Sequence, residues 1–180
     1  MEQFLKSQNG KSMIRVNQAG EAGAIRIYQG QITALKLKKD LTNLKLVQEM
    51  LQQEQKHCQY FNELSLKTRT SPTKLQPIWH FGGFALGFVT AMISSKVAMT
   101  CTVAVEEVIE NHYEEQLQNL KSQQLENSEL AIKIKEFQQE ECEHRDLGYL
   151  HHAKKSKIFQ PLRMAISNIT KIAIAVSKKI

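Results

Sequence analysis

Two Glu-x-x-His pairs, Glu54/His57 and Glu141/His144, each follow a lone glutamate at nearly the same distance. Glu21 precedes Glu54 by 33 residues, and Glu106 precedes Glu141 by 35. Residues three and four apart lie on one face of a helix, so each pair offers a carboxylate and an imidazole side by side. The chain makes this statement twice. That repetition restricts the fold to one in which four helical segments turn these side chains toward a common interior.

Helical spacing shows what the acids interrupt. Ile14, Glu21, Ile25, Tyr28, Ile32 and Leu35 form one stripe, and Val47, Met50, Glu54, His57, Phe61 and Leu64 a second. Met99, Val103, Glu106, Ile109 and Tyr113 form a third, and Ile134, Phe137, Glu141, His144 and Leu147 a fourth. All four glutamates therefore sit inside apolar seams. A carboxylate buried without a partner costs several kcal/mol even after relaxation, and no Lys or Arg shares those stripes near the acids. Two divalent cations would cancel four negative charges, and neutral His57 and His144 would complete the coordination. Oxygen-rich ligation with one imidazole per metal suits iron or manganese better than a closed structural zinc site. Four carboxylates and two histidines on four helices are the ligand set of a carboxylate-bridged dimetal centre in a helix bundle.

Not every nearby polar residue belongs to that set. Glu107, Glu140 and Glu143 fall off the stripe and are read as solvated or as outer neighbours of the ligands. Cys58 and Cys142 are read as small buried filler. His112 and Tyr113 lie two turns after Glu106; they are the candidates for a catalytic or substrate-contacting role. His151 and His152 are read as rim residues.

With 180 residues, the chain is expected to form a single domain. Only 8 Gly and 3 Pro occur, and none breaks the long periodic runs, which argues for helices throughout. Five main helical segments are expected. The first helix pair spans residues 12–66 (about Ser12–Lys39 and Leu41–Leu66), with Asp40 capping its second member. A polar linker occupies 67–77. An apolar segment, 78–93, leads into a third helix ending near Lys121. The second pair covers 94–154, with Asn127 or Ser128 capping a fourth helix that runs to about Lys154. An amphipathic helix closes the chain at 161–180.

The 78–93 segment contains no Asp, Glu, Lys or Arg. At about 16 residues it is short of the roughly 20 that span a bilayer. Its glycines, Gly82, Gly83 and Gly87, promise small surfaces and flexibility. Trp79, Phe81, Phe84 and Phe88 suit a segment dipping into a membrane interface, although a buried core helix fits the same composition. The net charge of +6 favours an anionic surface. No basic block is interleaved with aromatics, so a membrane is preferred to nucleic acid, and Lys171, Lys178 and Lys179 on the last helix point the same way. The three scattered cysteines show no disulfide framework and indicate a reducing compartment. The N-terminus has the marks of neither a signal nor a transit peptide.

Five blocks carry a family resemblance. They are Arg15-Val-Asn-Gln-Ala-Gly-Glu21-Ala-Gly-Ala with Arg26-Ile-Tyr28 after it, Gly83-Phe-Ala-Leu-Gly87, Cys101-Thr-Val-Ala-Val-Glu106-Glu, His112-Tyr113, and Glu140-Glu141-Cys-Glu-His144-Arg-Asp-Leu-Gly148. The chain resembles the demethoxyubiquinone hydroxylases, ferritin-like di-iron monooxygenases of ubiquinone biosynthesis. One departure lies in the first block, where that family commonly has Asp-His and this chain has Asn17-Gln18. The resemblance implies a ferritin-like four-helix bundle with an added apolar segment. It implies two Fe ions per chain, held by Glu21, Glu54, His57, Glu106, Glu141 and His144, with Glu54 and Glu141 bridging. The implied reaction is O2-dependent hydroxylation of a demethoxyubiquinol ring. The partners expected are the polyprenylated quinol, O2, a membrane surface, an electron donor (a reductase or NADH) and a lipid-binding accessory protein, with no nucleic acid. The expected location is peripheral, on the cytoplasmic face of a bacterial inner membrane or, for a processed form, the mitochondrial matrix face.

Two other readings compete with this one. A ferritin-like iron oxidase or storage protein would use the same six ligands, but has no need of the apolar 78–93 segment. A metal-free docking module leaves the four seam glutamates unexplained.

Overall fold

A computed structural model describes residues 1–151 and 159–179. Among these the chain is all-α, with seven helices: α1 Glu2–Lys6, α2 Gln8–Leu37, α3 Leu41–Thr68, α4 Gln76–Ile93, α5 Ser95–Ser122, α6 Glu129–Leu150 and α7 Gln160–Ser177. The helix starts have a local cause. Ser7, Asp40, Ser94 and Ser128 each accept a hydrogen bond from the backbone N–H three residues on, satisfying a donor that the first turn leaves orphaned. Asp40 thus caps α3 as expected, and of the two candidates for α6 it is Ser128 that caps. Pro77 and Pro161 stand in the first turns of α4 and α7, where a missing N–H costs nothing. Lys39, Arg69 and Gln124 take left-handed φ values of 55°, 52° and 58° just past α2, α3 and α5, which ends each helix.

Several boundaries differ from the sequence reading. The first long helix begins at Gln8, four residues before Ser12, because Ser7 is its cap; a short α1 precedes it. The apolar segment ends at residue 93 as expected, but it is a helix of its own and begins at Gln76. It stops at Ser94, whose extended backbone both ends α4 and caps α5. Helix α6 ends at Leu150, and the expected continuation to Lys154 falls on residues outside the described ones.

The long helices pack as two hairpins, α2 with α3 and α5 with α6, and the four seams close on one another. Apolar clusters lie on either side of the charged layer. One joins Tyr28, Leu35, Val47, Met50, Met99 and Val103; the other joins Phe61, Tyr113, Leu120, Ile134 and Phe137. Helix α5 is buried all round from Val97 to Glu106, because α4 and α7 cover the side that α2 and α6 leave open. That stretch is uncharged from Val97 to Val105, the pattern of a fully enclosed helix.

Helix α4 lies across α2 at very close range. A Cβ built on Gly87 would overlap the Ile27 carbonyl, and one on Gly30 the Phe84 carbonyl. Gly87 therefore supplies the small surface expected of it, in the form of a backbone-to-backbone approach. Lys38 Nζ donates to the carbonyls of Ala91 and Met92 at 3.1 and 3.3 Å, satisfying the C-terminal end of α4. The outer face of α4 stays apolar and open, with Ile78 58%, Phe81 73% and Ile93 66% exposed. None of the described helices is long and apolar enough to cross a membrane.

Candidate metal centre and the cavity beside it

All six residues singled out by spacing meet in the middle of the bundle, each no more than 3% exposed. Their ligand atoms fall into two overlapping groups. Glu21, Glu54, His57 and Glu141 form one, and Glu54, Glu106, Glu141 and His144 the other; within each group the atoms lie within 4.8 Å of one another. Glu54 and Glu141 are shared, and each divides its two oxygens between the groups. Glu141 Oε1 lies 3.2 Å from His57 Nδ1 and Oε2 lies 3.2 Å from His144 Nδ1. Glu54 Oε2 lies 4.0 Å from His57 Nδ1 and Oε1 lies 3.1 Å from His144 Nδ1. Glu21 Oε2 approaches only His57, at 3.5 Å.

Four carboxylates in so small a space strain their own ionisation. Burial first, then repulsion from Glu141 and Glu21, pushes the Glu54 carboxyl well above its usual range. Burial and Glu141 do the same to Glu106. Burial also acts against charge on Glu141, but the close contacts with the His144 and His57 imidazoles outweigh it and hold its carboxyl down at about 2. Burial opposes charging His57 too, yet contacts with Glu141 and Glu21 raise its pKa to about 12. Without metal the centre is thus balanced by protons.

That balance leaves hydrogen-bonding capacity unused. Both oxygens of Glu54, both of Glu141, and Nδ1 of His57 and of His144 are buried without a properly aligned hydrogen-bond partner. Buried polar atoms are nearly always partnered, and these six lie together in the two ligand groups. Two divalent cations would satisfy all six and displace the protons. The donor set fits a dimetal group, and the cluster suggests a metal site.

The atoms facing away from the centre are held. The Tyr28 hydroxyl donates to Glu106 Oε1 at 2.6 Å, and the Tyr113 hydroxyl donates to Glu21 Oε1. His57 Nε2–H donates to Glu140 Oε2 at 2.7 Å, and His144 Nε2–H to Gln53 Oε1 at 2.6 Å. Those bonds fix the ring tautomers so that both Nδ1 atoms face inward. Tyr113 therefore touches a candidate ligand. His112 does not: its Nε2 accepts from Gln116 Nε2 at 2.7 Å, and Gln116 forms a two-bond amide pair with Asn17. Burial, then Lys178, lowers the His112 pKa to about 4, so it is a neutral acceptor at physiological pH.

Of the three off-stripe acids, Glu140 alone reaches the site. Glu107 accepts from Tyr149 and pairs with Arg163 of α7, and Glu143 is exposed. Cys58 and Cys142 join neither group, and burial raises both thiols to about 11. His151 caps α6, and His152 lies outside the described residues. Tyr28 and Gln53 received no role from spacing, although one signal was present. Tyr28 follows Glu21 by the same interval at which Tyr113 follows Glu106, and Gln53 precedes Glu54 as Glu140 precedes Glu141.

An apolar cavity of about 270 Å³ opens beside the centre, between α2, α4, α5 and α7. Gly20, Gly23 and Ala24 form its wall on α2, and Val105 and Ile109 its wall on α5. These residues flank Glu21 and Glu106 in sequence, so the cavity lies at the level of the carboxylate layer, although none of the six ligands lines it. Trp79 and Ile169 are at its sides, and Trp79 Nε1–H donates to Ser177 Oγ at 3.1 Å, tying α4 to α7.

Comparison with known proteins identifies the family. The family model for ubiquinone biosynthesis protein COQ7 matches residues 8–177. The chain is 43% identical, over 93% of its length and 76% of the relative's, to the 3-demethoxyubiquinol 3-hydroxylase of Rhodospirillum rubrum. It is 40% identical to the mitochondrial NADPH-dependent 3-demethoxyubiquinone 3-hydroxylase of Dictyostelium discoideum, covering 98% of this chain and 80% of that one. The Homo sapiens protein of the same name is 41% identical over 93% of this chain and 76% of its own.

Proposed function

The chain belongs to the ubiquinone biosynthesis protein COQ7 family, and from that membership and the six convergent ligand atoms we propose that it is a ferritin-like di-iron monooxygenase. It hydroxylates the ring of a demethoxyubiquinol, forming one C–OH bond from O2. The second oxygen atom leaves as water at the expense of two electrons and two protons. The observation that carries this reading is the sharing of Glu54 and Glu141 between two otherwise separate ligand groups, each with its own glutamate and histidine.

Glu21 and His57 would hold one iron, Glu106 and His144 the other, with Glu54 and Glu141 bridging. The iron pair, when bound, supplies the electrons and Lewis acidity that O2 activation needs. The residues around it do the rest. Tyr28 and Tyr113 hold Glu106 and Glu21 by their outward oxygens and so limit how far each carboxylate swings. Glu140 and Gln53 keep the imidazoles oriented. Phe61, Phe137, Met50 and Met99, all buried, exclude water from the ends of the carboxylate layer.

The apolar cavity is the place for the quinol ring and the first part of its prenyl tail. Its walls offer little to bind by but apolar area, worth roughly 25 cal/mol per Å² buried. The tail would leave between α4 and α7. These helices expose Ile78, Phe81, Met164, Ile169 and Ile172, and α7 adds Lys171 with Lys178 and Lys179 following. An apolar face beside lysines suits a peripheral seat on an anionic lipid surface. The relatives from Dictyostelium discoideum and Homo sapiens are named NADPH-dependent, and a reduced nicotinamide nucleotide is the electron source proposed for this chain.

One turnover tests the reading. Iron-loaded, reduced protein is mixed with a demethoxyubiquinol in lipid vesicles and exposed to labelled O2; the product should gain one labelled oxygen. Glu141→Ala should retain less than about 1% of the rate, the scale on which removal of a group central to the chemistry acts. A metal-free chain with full activity, or a product carrying unlabelled oxygen, would sink the proposal.

A further inference from the structure

The two halves of the site follow a register. Helix α2 maps onto α5 by an offset of 85 residues: Glu21 to Glu106, Tyr28 to Tyr113, Gln31 to Gln116, Asn17 to Thr102. Helix α3 maps onto α6 by 87: Glu54 to Glu141, His57 to His144. The hydrogen bonds obey the same exchange. Each tyrosine holds the other half's glutamate. Asn17 pairs with Gln116, and Thr102 accepts from Gln31. The residue just before each shared glutamate accepts from the other half's histidine. At that last position the equivalence of charge breaks: one residue is Glu140, its counterpart is Gln53.

The break matters because the ligands themselves are balanced. Each metal position draws on one private glutamate, one private histidine and the same two shared carboxylates. Charge and donor count are equal on both sides, so any inequality must come from beyond them. An amide oxygen orients an imidazole. A carboxylate orients it and also draws on the Nε2 proton, which makes Nδ1 a stronger donor to a metal. Glu140 is 27% exposed and so partly screened, but at 2.7 Å the bond is short and charge-assisted. Phe137 covers the His57 ring at 4.1 Å between centroids, which keeps water from the same bond.

We infer that Glu140 is a positioning residue that makes the two metal positions unequal: the one at Glu21 and His57 binds more tightly and fills first, and the one at Glu106 and His144 follows. The inference rests on the dimetal reading above. The test is titration of the metal-stripped chain with cobalt(II), followed by calorimetry and by the visible bands of the bound ion. Glutamine at 140 keeps an acceptor oxygen, so a merely geometric role predicts no change in Glu140→Gln. A tuning role predicts that the tighter step weakens by about tenfold, the lower end of what outer-shell changes cost metal affinity. Gln53→Glu should strengthen the product of the two binding constants by a similar factor, and the double exchange should restore it. Constants within twofold of the parent in Glu140→Gln, or weaker binding in Gln53→Glu, would overturn the inequality. The Gln53→Glu arm decides alone if the first variant does not fold. Uptake of fewer than two cobalt ions by the unaltered chain would instead overturn the dimetal reading itself.

Discussion

The hairpins α2–α3 and α5–α6 carry the same site in different surroundings. The ligands, the tyrosines that hold two of them and the polar pairs farther out recur at fixed offsets. The outer faces do not. Where α2 has Gly20 and Gly23, α5 has Val105 and Val108. Where α2 has Gly30 under the backbone of α4, α5 has exposed Glu115. Where α2 has Ile27, α5 has His112. The metal-facing side of each hairpin answers to one requirement, a balanced nest of carboxylates, and so stays alike. The outward sides answer to separate ones: α2 admits α4 and borders the apolar cavity, whereas α5 is enclosed.

The most disruptive way to break this contrast is to make the same change at matched positions. Gly30→Ala forces a Cβ into the Phe84 carbonyl and should cost about 3 kcal/mol in urea unfolding. Glu115→Ala, on the exposed counterpart, should stay within about 0.5 kcal/mol.

The next effect depends on pH. His112, with Lys178 and Glu115 as its charged neighbours, has a folded pKa of about 4, below the ordinary 6.5. The unfolded chain therefore takes the proton first. Its neutral state stabilises the fold fully above pH 6.5, and that contribution is lost as pH falls toward 4. Relative to His112→Asn, the parent should lose about 2 kcal/mol between pH 7 and pH 5. A difference that does not vary over this range would mean that the histidine is not held neutral. Ile27→Leu, at the matched position in the other half, should show no such slope.

Smaller again is the effect of giving α2 a side chain of α5. A Cβ added at Gly20 meets only Ile109 Cδ1, at 3.9 Å, so the fold should tolerate Gly20→Val. The cavity loses volume, and KM for the quinol should rise by about tenfold, some 1.4 kcal/mol, with iron content unchanged. The least effect, and the test of likeness, comes from the tyrosines. Tyr28→Phe and Tyr113→Phe each remove one hydrogen bond to a buried carboxyl and should lower stability by about 1 kcal/mol apiece. A large disparity between them would show that the halves differ at the metal as well as outside it.

Much of the centre was legible because charge inside an apolar seam is costly and therefore conspicuous. Spacing alone placed Glu21, Glu54, His57, Glu106, Glu141 and His144 on inward faces, and the structure brings all six together. The residues that hold them were harder to see. Gln53 and Glu140 lie off the seam and look like solvated surface until the opposite hairpin is in place. Tyr28 looks like ordinary core because its hydroxyl partner is 78 residues away. The boundary after residue 93 was legible because Ser94-Ser95-Lys96 ends the uncharged apolar run, but the part Ser94 plays in starting a new helix was not. Its role as a cap depends on its own extended backbone. The glycines of α2 and α4 signal small size; only their crossing shows which of them meet backbone.

Trp79 is the chain's one tryptophan, and it lines the cavity with its indole N–H on Ser177. The tryptophan emission of the protein, excited selectively at the red edge where tyrosine does not absorb, therefore originates at this spot. A quinone is an efficient acceptor of excitation, so one entering between α4 and α7 would dim the emission, whereas a saturated lipid tail there would shift its colour and leave the intensity. The fold thus carries its own optical gauge of what occupies the cavity, readable without a label and before any oxygen is added.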